Sequence, residues 1–258
     1  MEKLTQQSYW DETYRTRKRQ PPLRLGGVGS YCNRLILEKL LEIGLAGKRV
    51  LEIGAGDSAW LPYLAKRYPS SRCVGMDYAE VGCILLSERA RDEGAAVEVV
   101  RGDMFSENSP LHRSFDLVLS FGLVEHFGDL GRVLCAKSRF VKPGGSVFTL
   151  IPNMAGILGF LTRAWNPGVY AQHNPHDLQS FLLGHQQAGL AVVSSGYLGS
   201  NNFGLLSSCF PQRRGIAFNT HRALYALSLA VWWIEGRSGK LPSSQLFSPY
   251  LYAICRLA

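Results

Sequence analysis

No two of the six cysteines (Cys32, Cys73, Cys83, Cys135, Cys209 and Cys255) form a C-x-x-C pair, so zinc-ribbon and thioredoxin-type chemistry have no support. Scattered in this way they read as small buried hydrophobes in a reducing compartment. A membrane span is missing too: the uncharged run 143–162 is interrupted by Pro143-Gly144-Gly145 and by Pro152-Asn153, whereas a spanning helix takes about 20 predominantly apolar residues. Met1 to Gln7 lacks the apolar stretch of a signal peptide. The expectation is a soluble, cytoplasmic chain. Charge is scarce in the second half, where residues 143–258 carry nine charged side chains: Arg163, Asp177, Arg213, Arg214, Arg222, Glu235, Arg237, Lys240 and Arg256. That half must bury itself, bury a partner or line an apolar site. There is no internal repeat and no low-complexity tract.

What is present fits a globular α/β protein. The 258 residues are 46% hydrophobic and 19% charged, which excludes disorder and collagen-like or coiled-coil composition. The formal charge of +8 favours anionic partners. Residues 30–43 have helical spacing, with a stripe of Leu35, Leu37, Leu40 and Leu41 that ends at Gly44 and Gly47. Short apolar runs then alternate with helical ones. Strands are expected at 49–53, 73–77, 97–100, 115–120 and 146–151, with helices after 59, over 80–92 and over 129–140. Such alternation gives right-handed βαβ units and a mostly parallel sheet. Ligands of such sheets bind at the carboxyl ends of the strands.

The first strand runs into Gly54-Ala55-Gly56-Asp57-Ser58-Ala59, a G-x-G-x-x-A loop that lets the backbone approach a cofactor closely. Asp77 ends the second strand, where a carboxylate can accept from ribose hydroxyls. Together these point to an adenosine cofactor, either a dinucleotide or S-adenosylmethionine. Glu52 inside the motif suits a cationic ligand and repels pyrophosphate. About 48 residues precede the first strand, more than dinucleotide folds usually carry. Asp103 follows the third strand, where it can accept from an adenine amino group.

At Val50-Leu51-Glu52-Ile53-Gly54-Ala55-Gly56 the chain resembles the class I S-adenosylmethionine-dependent methyltransferases, with a match running from about Lys48 to Asn153. Ser120-Phe121-Gly122-Leu123-Val124-Glu125-His126-Phe127 is similar to the segment after strand four in small-molecule members. Val141-Lys142-Pro143-Gly144-Gly145 is similar to the family's turn before strand five. The resemblance implies cofactor contacts from Glu52, Gly54, Ala55, Gly56, Asp77, Tyr78, Asp103, Met104, Ser120 and Phe121. Ser58 is a departure, since many members have glycine there. Tyr9-Trp10-Asp11-Glu12-Thr13-Tyr14 resembles an aromatic leader that caps the cofactor; packing as a staple on the core is the other reading. Arg15, Arg17, Lys18 and Arg19 follow, read as a solvated basic face or as a contact for an anionic group.

The family's small-molecule branch fits best. An Asn/Asp-Pro-Pro-aromatic segment of base methylation is missing after strand four, and so is a nucleophilic cysteine. Glu125 and Asp129 are the only carboxylates close by, too few for metal-dependent catechol methylation, so no metal is expected. Residues 170–181 resemble the helix opening before a sixth strand at 190–194, with Asn174 as N-cap and Pro175 as first helical residue. Residues 250–256 resemble the seventh strand. The expected fold is α/β: a Rossmann-like, seven-stranded, mostly parallel sheet with helices on both faces, an N-terminal helical cap and a largely helical insert before the last strand. Its parts are a cap and helix (1–47), a cofactor-binding core (48–199), an apolar insert (200–247) and a closing strand (248–258). The insert includes 221–235, apolar nearly all round and therefore expected to be buried on several sides. It can be a lid over a hydrophobic substrate, a homodimer interface, or extra core or membrane-surface packing.

Methyl transfer to an oxygen or carbon usually needs a general base. The candidates are His126, His173 and His176, with Glu125 as orienter or substitute and Tyr170 positioning a substrate hydroxyl. The acceptor is expected to be a small molecule, with nucleic acid less favoured. An NAD(P)-dependent oxidoreductase and an RNA-directed methyltransferase or binding module remain open at this stage.

Overall fold

The computed structural model describes residues 4–16, 19 and 21–257. In chain order these form α1 (Gln7–Thr16), α2 (Tyr31–Ile43), β1 (Arg49–Ile53), α3 (Trp60–Arg67), β2 (Arg72–Asp77), α4 (Glu80–Asp92), β3 (Val97–Arg101) and β4 (Phe115–Phe121). Then come α5 (Leu130–Ser138), β5 (Val141–Pro152), α6 (Ile157–Trp165), α7 (Pro167–Tyr170), α8 (Leu178–Gln187), β6 (Leu190–Leu198), α9 (Ile216–Ser238) and β7 (Tyr250–Leu257). The strands make one seven-stranded sheet in the order β3-β2-β1-β4-β5-β7-β6. All pairs are parallel except those of β7, which runs antiparallel between β5 and β6. The strand order reverses between β1 and β4, the switch point beside which such sheets hold ligands.

Alternation along the strands divides the core in two. Val50 of β1 faces α2, α3 and α4, where Leu35, Leu40, Leu61, Leu64 and Leu86 are buried. Leu51 and Ile53 face α5 and α8, against Val133, Leu134 and Phe181. The stripe on α2 is shifted from its expected place: Ile36 is buried, whereas Leu41 is 49% exposed. Four of the six cysteines are buried as expected, but Cys135 is exposed and Cys83 intermediate.

Three expectations need correction. Strand β5 begins at Val141, before the Pro143-Gly144-Gly145 turn, not after it. From Phe115↔Val141 the register jumps to Leu117↔Ser146, so Lys142 to Gly145 loop out as a bulge. Pro143 has no N–H to donate and Gly144 takes φ +72°, which suits a bulge and not a ladder. The N-cap of α8 is Asp177, not Asn174, because Asp177 and Ser180 form a reciprocal capping box. Pro175 therefore lies outside the helix, and Asn174 donates its backbone N–H to the Glu125 carbonyl at 2.7 Å. The third concerns α9, which is not buried on several sides. Its inward face is a polar stripe of seven-residue spacing, His221, Ser228 and Glu235, with Trp232 beside it. Glu235 accepts from Tyr31, Ser200 and the Leu241 amide, and Ser228 accepts from the Phe203 amide. Much of the helix's apolar load faces outward. Trp232 and Phe203 of the insert are buried within their own chain.

Candidate active site

The site grows from the β1 turn. Gly54 has φ +73° and donates to the Met76 carbonyl at 2.9 Å, as does Ala55 at 3.1 Å. Gly56 donates to Asp77 Oδ2 at 2.8 Å. A Cβ at Gly54 would lie 2.9 Å from the Leu123 side chain, and one at Gly56 would lie 1.9 Å from the Tyr14 hydroxyl. Only glycine allows both approaches.

Glu52 is 3% exposed, and burial pushes its carboxyl up to about 8, with the neighbouring Asp77 adding to the rise. Ser58, the departure in the motif, donates to Glu52 Oε2 at 2.8 Å. The same Oγ accepts from the Trp60 amide at 3.1 Å, so one serine ties the Glu52 carboxyl to the first residue of α3. Asp77 also accepts from the Ala79 amide at 2.8 Å, and burial raises its carboxyl above the usual range. Tyr78 is half-buried beside it, its phenol pushed up by burial and by the Asp77 and Asp103 carboxylates. Asp103 is exposed after β3 and accepts from the Phe105 amide at 3.0 Å, with Met104 buried next to it. Phe121 stacks on Trp60 with ring centroids 5.4 Å apart.

Ser120 differs from the expectation. Its side chain is fully buried, and its hydroxyl accepts from Lys137 Nζ at 2.6 Å instead of facing the cleft. Lys137 is fully buried as well, bonded also to the Phe148 carbonyl and to Thr149 Oγ1, and burial holds its ammonium well below the usual lysine range. Sequence reading missed it, since one lysine on an amphipathic helix carries no signal. It also missed the ion pair between Arg89 of α4 and Asp57 of the glycine loop at 2.6 Å, with the arginine side chain 2% exposed.

Helix α1 lies over the carboxyl ends of the strands. None of its residues is fully buried, but Trp10 packs edge-on against His126 and the Tyr14 ring approaches Gly56 and Gly82. The Leu4 amide donates to the His126 carbonyl, Tyr9 bonds Gln172, Asp11 accepts from the Val81 amide, and Tyr14 donates to Asp77 at 3.4 Å. Of the basic residues that follow, Arg15 is exposed and Arg19 pairs with Asp92, while Arg17 and Lys18 lie outside the described residues.

Past β4 the chain turns through a 3-10 segment, Val124–His126. His126 is buried with its ring edge-on to Trp10. Its Nδ1 is 2.7 Å from the Gln172 carbonyl, and His173 Nδ1 is 2.8 Å from the Val169 carbonyl. A carbonyl can only accept, so both imidazoles are Nδ1–H tautomers with a bare Nε2. Their centroids are 4.8 Å apart. Burial, and then the second imidazole, lower His126 to about 4; burial lowers His173 as well. Burial pushes Glu125 up to about 8, and its Oε2 has no hydrogen-bond partner among the described residues. At neutral pH the cluster is therefore uncharged: two neutral imidazoles and a protonated carboxyl.

Donor atoms of Glu125, His126 and His173 all lie within 4.8 Å of one another, close enough to hold a cation. Sequence reading considered only carboxylates here. The fold adds two imidazoles to Glu125, while Asp129 instead caps α5 by accepting from the Arg132 amide. The structure does not bring His176 into this cluster; it is buried, and its Nε2 has no partner among the described residues. Tyr170 sits one turn away, its carbonyl accepting from the His173 amide and its ring 6.0 Å from the Arg163 guanidinium.

A family model for a methyltransferase domain matches residues 50–145. A ubiquinone biosynthesis O-methyltransferase of Pseudomonas fluorescens (strain SBW25) is 30% identical over 161 residues, covering 58% of this chain and 68% of that protein. One of Pseudomonas aeruginosa (strain UCBPP-PA14) is 34% identical over 107 residues, covering 41% of this chain and 44% of that protein. The chain thus spans two thirds of the first relative's length and under half of the second's. Among solved structures, geranyl diphosphate C-methyltransferase from Streptomyces coelicolor A3(2), in complex with Mg²⁺, geranyl diphosphate and S-adenosyl-L-homocysteine, superposes with a TM-score of 0.59 at 16% identity, over 97% of this chain and 96% of that one. No helix among the described residues is long and apolar enough to cross a membrane. By these matches the chain belongs to the class I S-adenosylmethionine-dependent methyltransferases, enzymes that take their methyl group from that cofactor.

Proposed function

We propose that the protein methylates a hydroxyl of a small, partly hydrophobic acceptor, with His126 as general base. The observation that carries this reading is the His126–His173 pair, each tied through Nδ1 to a carbonyl so that a bare Nε2 remains at the carboxyl end of β4. The loop supports the cofactor's place: Gly54 and Gly56 leave no side chain where Leu123 and Tyr14 approach, and Glu52 is a buried carboxyl suited to a cationic amino group. In this reading Glu52, Gly54, Ala55 and Gly56 hold the methionine part, Asp77 and Tyr78 the ribose, and Asp103 with Met104 the adenine. Phe121 and the Ser120 backbone border the reacting end. Bound there, S-adenosylmethionine supplies an electrophilic methyl group for in-line displacement. The chain's own work is to orient the acceptor hydroxyl, to exclude water under α1, and to take the hydroxyl proton at His126 Nε2. Positioning of this kind is worth roughly 7–11 kcal/mol. The names of the Pseudomonas relatives favour oxygen as the acceptor atom.

A second reading rests on the three converging donors, which suit a divalent cation as well as a base. One experiment separates the two. Acceptor hydroxyls are screened with S-adenosylmethionine, the product is identified as a methyl ether by mass spectrometry, and the assay is repeated after EDTA dialysis. The base reading predicts that turnover survives EDTA. Activity lost to EDTA and restored by Mg²⁺ would instead make Glu125, His126 and His173 metal ligands.

A further inference from the structure

Helix α9 has an outward face that no element among the described residues covers. Ile216 is 87% exposed, Leu227 52%, and Trp233 and Ile234 49% each. Arg222 and Arg237 share that face, and the Arg237 guanidinium lies 3.8 Å from the centre of the Trp233 ring. Leu246 and Phe247, both at least half exposed, follow in the return segment. From residue 178 onward the sequence carries six lysines and arginines and one carboxylate side chain, Glu235. That carboxylate is buried on the opposite side of the helix. The outward face of α9 is therefore apolar and basic and carries no acidic side chain of its own; the exposed Glu38 of α2 pairs with Lys240 just past the end of the helix.

We propose that this face rests on the surface of an anionic lipid bilayer. An interfacial helix lies in the headgroup plane with its apolar side chains inserted and its cations on lipid phosphates. A tryptophan under an arginine suits that depth, with an apolar ring below and a charged, hydrogen-bonding head above. Charge decides against a second copy of the chain. A two-fold contact would set this basic face against itself, and α9 offers no outward carboxylate of its own to pair the arginines. It complements a surface of lipid phosphates, where each Lys or Arg strengthens binding roughly five-fold.

The test is co-sedimentation of the full chain with phosphatidylcholine vesicles, with and without phosphatidylglycerol, at low and high salt. Binding is expected only when phosphatidylglycerol is present, and salt should release it. The double variant Arg222→Gln/Arg237→Gln should weaken binding roughly twenty- to thirty-fold, and Trp233→Ser/Ile234→Ser should weaken it at unchanged charge. All four side chains face solvent, so thermal melts should match the wild type. Lys66→Gln/Arg67→Gln, on exposed positions of α3, is the charge control. The proposal is overturned if phosphatidylglycerol vesicles do not pull the protein down, or if the α3 control weakens binding as much as the α9 variant. It is also overturned if light scattering finds a dimer that Ile234→Glu dissolves, which would make the face an interface between copies.

Discussion

In His126→Ala, kcat is expected to fall by about 10²- to 10⁴-fold, the usual worth of a positioned base. Affinity for S-adenosylhomocysteine should stay within a few-fold, because His126 is outside the glycine loop and its ring bonds to the Gln172 carbonyl. His173→Ala should cost less: its imidazole is more exposed, and its main effect is to crowd and depress its neighbour. The pH profile adds a second readout. A base must be unprotonated to act, so activity is lost as pH falls through its pKa. With α1 closed, that loss should come near pH 4, where burial has moved His126. If α1 lifts and water reaches the ring, the loss should move up toward the ordinary 6.5. Near-normal kcat in folded His126→Ala, His173→Ala and the double variant would rule out both imidazoles as the base.

Arg89→Met should cost about 3–5 kcal/mol of stability, the range for removing one partner of a buried ion pair. Arg89 reaches from α4 to Asp57 at 2.6 Å and to Glu93 at 3.4 Å, with all three side chains largely shielded from water. Methionine fills most of the volume but removes the guanidinium that reaches both carboxylates. The loss should be read from urea unfolding, and Arg89→Met/Asp57→Asn should recover a substantial part of it because a neutral amide then replaces the buried carboxylate. Asp57 belongs to the glycine loop, so the single variant should also weaken cofactor binding. A cost under about 1 kcal/mol, typical of exposed pairs, would mean the loop does not depend on this bridge.

The core of the fold was legible because each of β1 to β4 is a short apolar run followed by a turn. Glu52, Gly54, Gly56 and Asp77 were legible for a related reason, since each stands at a fixed place relative to the end of its strand. Contacts between distant segments were not. His173 reaches His126 only because the chain from β5 to α8 folds back and delivers the Gln172 carbonyl to the His126 ring. Lys137 and Ser120 are partners across two elements, and neither residue alone signals a buried network. Helix α9 misled for a physical reason. Burial is read from hydrophobicity, yet its inward positions are His221, Ser228 and Glu235, and Ser228 and Glu235 bond to polar groups of other segments. In the bulge of β5, pairing resumed on both sides of a proline and two glycines that resemble a strand boundary.

The central claim is that the β1 turn and Asp77 hold S-adenosylmethionine, and calorimetric titration with S-adenosylhomocysteine tests it most directly. One-to-one binding is expected, much weaker in Asp77→Ala. Glu52 holds its proton up to about pH 8 in the free protein, and a cationic amino group draws that proton off. Affinity should therefore rise with pH from 6 toward 8, and the heat should track the buffer's ionisation enthalpy, as expected for proton release. Glu52→Gln should lose both effects. Tight binding of NADH with no binding of S-adenosylhomocysteine would contradict the account.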